Sequence, residues 1–406
     1  MWSQAAAMTV AVWNPFVVER LAQGQWSLAV AAWLLPAVAV CRGPGQILAL
    51  WGASLTPTGG VLALVTGVAT SRRWYVVLAG LLSCAPWLVP GLLSPASGTS
   101  LPASAHAFAP RAEHFSGTLG ALLGLGGMWN GDAVPASRAA GFAVFGVVLF
   151  LLLTVAAVRG FVPRALLILA GVGFAVPLFG WLLPSVMGWI VSTVPGAGLL
   201  RDSQKFVALA LPAFVVAAGS LGQIARYLPA AALGLAVLQV PDAPRAVAVL
   251  APVQVSPPAI DHDGRDVFFI DRPTLVSRTD GLPVVDPASK AMNIVESGAL
   301  VVDGVEVDKP SPRWRATSVI FGSASDDPVD DDPAMARYFS EPGVGLVVHP
   351  DSTVEDTGVG PQPRSGLGLL VVWFTVPLVL LVALVAAVVR SFATARSSAV
   401  VASSRR

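Results

Sequence analysis

Two cations one helical turn apart, Arg201 and Lys205 in GAGLLRDSQKFVALALPAF (196–214), stand at the head of an apolar run. Cations at a helix N-terminus oppose the helix dipole, and the parity of the apolar runs puts this pair on the outer side, against the positive-inside bias. A phosphate or pyrophosphate headgroup would satisfy both side chains and the free backbone N–H groups; a local network with Asp202 is the alternative. A second set, Trp129, Asn130 and Asp132 in GLGGMWNGDAVPASR (124–138), has side chains suited to stack on and hydrogen-bond a sugar or headgroup. A tryptophan there also serves as an interfacial anchor. The loop ahead of it carries Glu113 and His114.

The third stretch is WNPFVVERLAQGQW (13–26). Asn14 fits an N-cap, Pro15 the first helical position and Gly24 the stop. At about 100° per residue, Val17, Val18, Leu21 and Ala22 share one arc, while Phe16, Glu19, Arg20 and Gln23 share the other. The pattern predicts a short amphipathic helix in the membrane interface with Glu19 and Arg20 aimed away from lipid. It serves either a site or an anchor flanked by Trp13 and Trp26.

These residues must be positioned by membrane helices. With 55 % hydrophobic residues, 12 % charged and a mean hydropathy of +0.72, the chain is not an ordinary water-soluble globule. The expected fold class is an α-helical polytopic membrane protein of about seven spanning helices, over 26–41, 74–93, 139–158, 162–184, 205–222, 226–241 and 367–389. Segment 45–70 is broken at Thr56-Pro57-Thr58-Gly59-Gly60, so each half is too short to cross, and a re-entrant helical hairpin is expected. With that hairpin entering and leaving on one side, Arg42, Arg72, Arg73, Arg159, Arg164, Arg226 and the basic tail 390–406 fall in the cytoplasm. Residues 13–25, 94–138, 185–204 and 242–366 then face outward.

Residues 1–241 are thus read as a membrane domain and 242–366 as a small extracytoplasmic α/β domain before the helix 367–389. The latter region holds about 20 of the 24 acidic residues and about 10 of the 25 basic ones. Strands are expected at 266–270, 299–308 and 343–349, with Asp303-Gly304 as a two-residue hairpin turn and a helix at 332–339. DDPVDDDP lacks the glycine and bidentate glutamate of a calcium loop, so a solvated acidic loop is expected and no metal site. No phosphate loop, His/Cys metal spacing or nucleophile elbow occurs. Cys41 and Cys84 lie outside 242–366, so disulfides do not organise it. Dispersed basic residues without interleaved aromatics exclude a nucleic-acid partner, and no cofactor is expected.

In order along the chain, WNPFVVERLAQGQWSL, LTPTGG, GGMWNGDAVP and LLRDSQKFVALALP resemble a family of actinobacterial multi-pass proteins related to the polyprenyl-phosphate-sugar-dependent (GT-C type) glycosyltransferases. VVDPASKAMNIVESGALVVDG is similar to the region that family carries before its final span. The resemblance covers most of 13–240. It implies sugar transfer from a lipid-phosphate donor to an envelope glycan or lipid outside the cytoplasmic membrane. A carboxylate base, Glu19 or Asp132, is implied, with Arg201 and Lys205 on the phosphate and Arg20 assisting; Trp129 and Asn130 would face the sugar. It also implies an acidic residue in a first external loop behind an N-terminal span. Residues 1–13 are too few to span and lack the charged start and cleavage site of a signal peptide. The expectation is therefore a start upstream of Met1 or a branch without catalysis. The alternatives are a non-catalytic scaffold that binds lipid-linked glycan or an envelope enzyme through 242–366, and a glycolipid transporter, for which charged residues inside the spans and paired broken helices are missing.

Overall fold

The structure, a computed structural model, describes residues 1–93, 100–248, 250, 256–277, 283–322, 333–362 and 366–403. The expected acidic loop falls largely within 323–332, outside the described residues.

Helix α1 (Trp2–Val12) buries Ala6 and Val10 against the bundle. Asn14 joins it to α2 (Pro15–Ala22): its carbonyl oxygen accepts from the Val17 N–H at 3.1 Å, and its amide donates to the carbonyls of Val10 and Ala11. One side chain thus closes one helix and opens the next, as an N-cap should. Gly24, at φ +80°, ends α2.

Among the described residues, five helices are long and apolar enough to cross a membrane: Trp74–Leu93, Arg138–Val158, Arg164–Leu182, Ser203–Gln223 and Gly366–Ala383. Ser203–Gln223 forms the axis of the bundle, because 67 % of its most apolar window is buried against 6 % for Gly366–Ala383. The other two expected spans are shorter than the sequence predicted. Segment 26–41 gives α3 (Trp26–Val40, 15 residues), and 226–241 gives Leu228–Leu238 (11 residues), both below the roughly 17 needed to cross alone. Glycine and arginine just beyond α3, and the Leu228-Pro229 start of the second helix, set these limits.

The broken segment forms two helices, α4 (Pro44–Ala53) and α5 (Pro57–Thr70). Their open ends meet, since Arg42 donates to the Thr70 carbonyl and a Cβ on Gly67 would touch both Leu50 and Val38. The segment 45–70 thus folds back on itself as a helical hairpin. At its tip, a Cβ on Gly59 would lie 2.3 Å from the Ala53 carbonyl and 2.7 Å from the Ala31 Cβ, so only glycine admits the close approach. The helix Trp74–Leu93 is α6. The last helix, Gly366–Ser403, docks on the α4 end of the hairpin: Trp373 packs 4.4 Å from Trp51 and donates to the Ser54 hydroxyl at 3.0 Å.

Near the C-terminal end lies a small α/β unit. Its strands are β1 (Asp266–Phe269), β2 (Leu275–Ser277), β3 (Pro283–Val285), β4 (Asn293–Ile294), β5 (Leu300–Val302), β6 (Val305–Asp308), β7 (Leu346–Val348) and β8 (Val354–Asp356). The main sheet has the order β4-β1-β7-β8, in which β4, β1 and β7 run parallel and β8 antiparallel. β5 and β6 form the expected hairpin, with Asp303 at φ +50° and Gly304 at φ +78°, the left-handed pair that a tight two-residue turn requires. The helix expected at 332–339 spans Pro333–Ser340. This unit meets the membrane bundle at β6, where the Leu101 N–H donates to the Val307 carbonyl at 2.9 Å.

Candidate functional site

Helix α2 is covered by protein on both arcs. Pro15 through Arg20 are all buried, so the apolar and polar arcs are both covered. The helix is wedged between α3, the loop 124–130 and the helix Ala243–Ala248; Trp13 is half-buried with its indole N–H on the Val240 carbonyl. Trp26 is the exposed one of the two flanking tryptophans.

Around α2 the chain assembles a buried knot of charges. Arg20, fully buried, forks onto Asp202 with nitrogen–oxygen distances of 2.6 and 3.1 Å, and also donates to Gln25 at 2.6 Å and to Gln204. Gln204 in turn donates to the Gly126 carbonyl at 3.0 Å. Glu19 faces the other way: its carboxylate accepts from the Met128 N–H at 3.3 Å and pairs with Arg138 at 3.4 Å. Arg138, also fully buried, pairs with Glu113 at 2.5 Å and donates to the Gln239 carbonyl. The second Glu113 oxygen accepts from the Gly127 N–H at 2.9 Å. Gly126 is required at the centre, since a Cβ there would lie 2.3 Å from the Arg138 Nη2 and 2.7 Å from a Glu113 oxygen.

Two carboxylates therefore share one guanidinium. Burial pushes the Glu19 carboxyl up to about 8, and Glu113 adds to the rise; Arg138, Arg20 and the Met128 N–H pull against it. Burial would also raise Asp202, but the Arg20 fork outweighs it and holds that carboxyl below its ordinary value.

Arg201, Lys205 and Trp129 line up beside the knot. Arg201 pairs with Asp308 of β6, whose other oxygen accepts from the Ser100 hydroxyl at 2.7 Å. The Arg201 guanidinium lies 5.0 Å over the Phe108 ring, and Phe108 meets Trp129 edge to face at 4.7 Å. Lys205 is 8 % exposed and, among the described residues, holds no hydrogen bond or ion pair; its nearest charges are Asp202, Arg20 and Arg201. Arg201 and Asp202 thus make their ion pairs with Asp308 and Arg20, and Lys205 interacts with Asp202 through charge alone, without a direct ion pair.

The sugar-facing candidates stand at the edge. Trp129 is half-buried, with its indole N–H enclosed and without a partner. The Asn130 amide donates to Gln23 at 2.6 Å, and its oxygen accepts from the Asp132 N–H. The Asp132 carboxylate is exposed, whereas Glu19 has no exposed surface. The two base candidates therefore occupy different environments. Asp132 is open to a substrate; Glu19 is enclosed among protein partners.

Arg138, Gln204 and Gln239 were not singled out from sequence. Arg138 had a readable signal, the same one that marked Arg201 and Lys205: a cation at the outward end of an apolar run. Gln204 and Gln239 carried none, because an isolated amide at a helix end has many uses. No group of three or more His, Cys, Asp or Glu suited to a metal ion occurs among the described residues. No family model, no curated protein and no solved structure matches this chain.

Proposed function

We propose that the chain is a multi-pass protein of the cytoplasmic membrane that works as a GT-C-like envelope glycosyltransferase on a lipid-phosphate donor. The observation that carries this reading is Lys205, a nine-tenths-buried cation that makes no side-chain hydrogen bond or ion pair among the described residues, beside Arg201 at the head of the central helix. The Asp202 charge offsets part of the cost of burying the ammonium, and an anionic headgroup would offset the rest. In this reading α3, the α4–α5 hairpin and Leu228–Leu238 also sit within the membrane, 242–366 faces outward and the C-terminus is cytoplasmic. The knot of Glu19, Arg20, Glu113, Arg138 and Asp202 fixes Lys205 relative to the loop 124–132. Asp132, rather than the enclosed Glu19, takes the proton of the acceptor hydroxyl as the sugar carbon leaves the phosphate. Lys205 and Arg201 receive the charge on the departing phosphate.

The test is binding of a polyprenyl phosphate, against the uncharged polyprenol, to the full chain in lipid nanodiscs. Lys205→Met is expected to weaken the phosphate at least tenfold and leave the polyprenol unchanged. Equal binding of both lipids, or no effect of Lys205→Met, refutes the reading.

A second reading, a non-catalytic scaffold that binds lipid-linked glycan or a partner envelope protein through 242–366, draws support from the same geometry. Glu19, Glu113, Asp202 and Asp308 are each committed to an arginine. Under it, Asp132→Asn leaves envelope glycans unchanged, while loss of the Arg201–Asp308 pair alters partner recovery.

A further inference from the structure

The α/β unit has a feature that none of the foregoing uses. From β1 the chain crosses to β4 through the helix Ala288–Ala291, whose Ala288, with Met292, packs on Val267, Phe269, Leu346 and Val348. From β4 it returns past β1 to β7 through the helix Pro312–Ile320, on the opposite face with Phe268 and Val347. The two crossovers lie on opposite faces because right-handed connections running in opposite directions from one strand must do so. The strand order therefore reverses between β1 and β7. In open parallel sheets, ligands enter the crevice outside the carboxyl ends of the strands at such a point.

A cleft of about 710 Å³ occupies that place, bounded by Ile270-Asp271-Arg272 after β1 and His349-Pro350 after β7. Its size falls in the range of small-molecule sites. Phe269 and Val348 form the buried base of the cleft, with the Arg272 guanidinium 4.8 Å over the Phe269 ring, and the more open Ile260, Val276 and Val354 supply its apolar wall. Among the described residues, the basic side chains at the rim are already matched: Arg272 forks onto Asp286 at 2.5 and 2.8 Å, and His349 contacts Glu355 at 3.1 Å. Asp271, held at φ +55°, is exposed and has no partner among the described residues. A rim with its cations neutralised and a carboxylate to spare repels an anion. It suits a ligand with many hydroxyl donors and an apolar face.

We infer that this cleft binds a neutral saccharide, with Asp271 accepting from its hydroxyls and Ile260, Val276 and Val354 against its C–H face. The site is separate from Lys205 and stands whether or not the chain is a transferase.

The test is saturation-transfer NMR on the full chain in lipid nanodiscs with maltotriose, cellotriose and arabinobiose, and uridine monophosphate as an anionic contrast. At least one sugar is expected to take up saturation, reduced fivefold or more by Asp271→Ala and by Val276→Trp, which fills the cleft, and unchanged by Lys205→Met. Asp271→Asn, with a melting curve matched to the parent, guards against misfolding of the alanine variant. Absence of transfer to all three sugars, transfer that survives both cleft substitutions, or binding of the nucleotide alone overturns the inference.

Discussion

Replacing Arg138 by methionine tests whether the charge knot holds the membrane bundle together. Methionine keeps much of the side-chain volume but removes the guanidinium that serves both Glu19 at 3.4 Å and Glu113 at 2.5 Å. At an effective dielectric near 20, each attraction at about 3 Å is worth about 5 kcal/mol before desolvation. Removing one partner of a buried pair costs about 3–5 kcal/mol net. That range applies here, because Glu113 is left without its guanidinium and Glu19 without its neighbour in a site where Arg138 and Glu19 have no exposed surface. By the scaling of soluble domains this is a fall of roughly 6–20 °C in melting temperature, read from tryptophan fluorescence of the detergent-solubilised protein. The triple variant Arg138→Met, Glu19→Gln, Glu113→Gln removes all three charges and is expected to recover most of the loss, since buried ion networks replaced as a unit are often neutral. A single variant that melts with the parent, or a triple variant that recovers nothing, would refute the account.

Glu19, raised from 4.5 to about 8, keeps a proton in the folded state that the unfolded chain releases. Its contribution is fully present below about 4.5 and is lost as pH rises to about 8, a span worth up to about 5 kcal/mol. Thermal stability should therefore fall between pH 5 and pH 8 in the parent and stay flat in Glu19→Gln; parallel curves would sink the assignment. Gly59→Ala places a Cβ against the Ala53 carbonyl and Ala31 with no flexible side chain to give way, an overpacking cost of about 1–3 kcal/mol. Gly234→Ala, where nothing lies within 4 Å, should be neutral or slightly stabilising in the same melting assay.

The local features could be read from residues in succession. Asn14-Pro15 start a helix because a side-chain acceptor and a fixed φ act within one turn. Asp303-Gly304 make a hairpin because both residues tolerate the left-handed region. The break at 56–60 predicts two short helices because proline and glycine act on their own backbone. Five apolar runs are long enough to cross a membrane for the same reason: length and hydropathy are properties of contiguous sequence.

Partners could not be read that way. Glu19 and Arg20 are adjacent, and in sequence they look like two members of one solvated arc. Tertiary packing turns them apart, Glu19 to Arg138 and Arg20 to Asp202, separated by more than a hundred residues. The arc leaves the surroundings of its polar face undecided, because periodicity reports which residues are polar, not whether water or another charge meets them. Likewise, Arg201 and Lys205 share a spacing but not a fate, since β6 supplies Asp308 to one and nothing to the other. Sequence alone determined the helical membrane character, the hairpin and the turn chemistry, each governed by forces within a few residues. Only the tertiary structure decided which charges pair directly and which cation is left without a direct ion pair, because electrostatic pairing acts through space between segments whose approach no local pattern encodes.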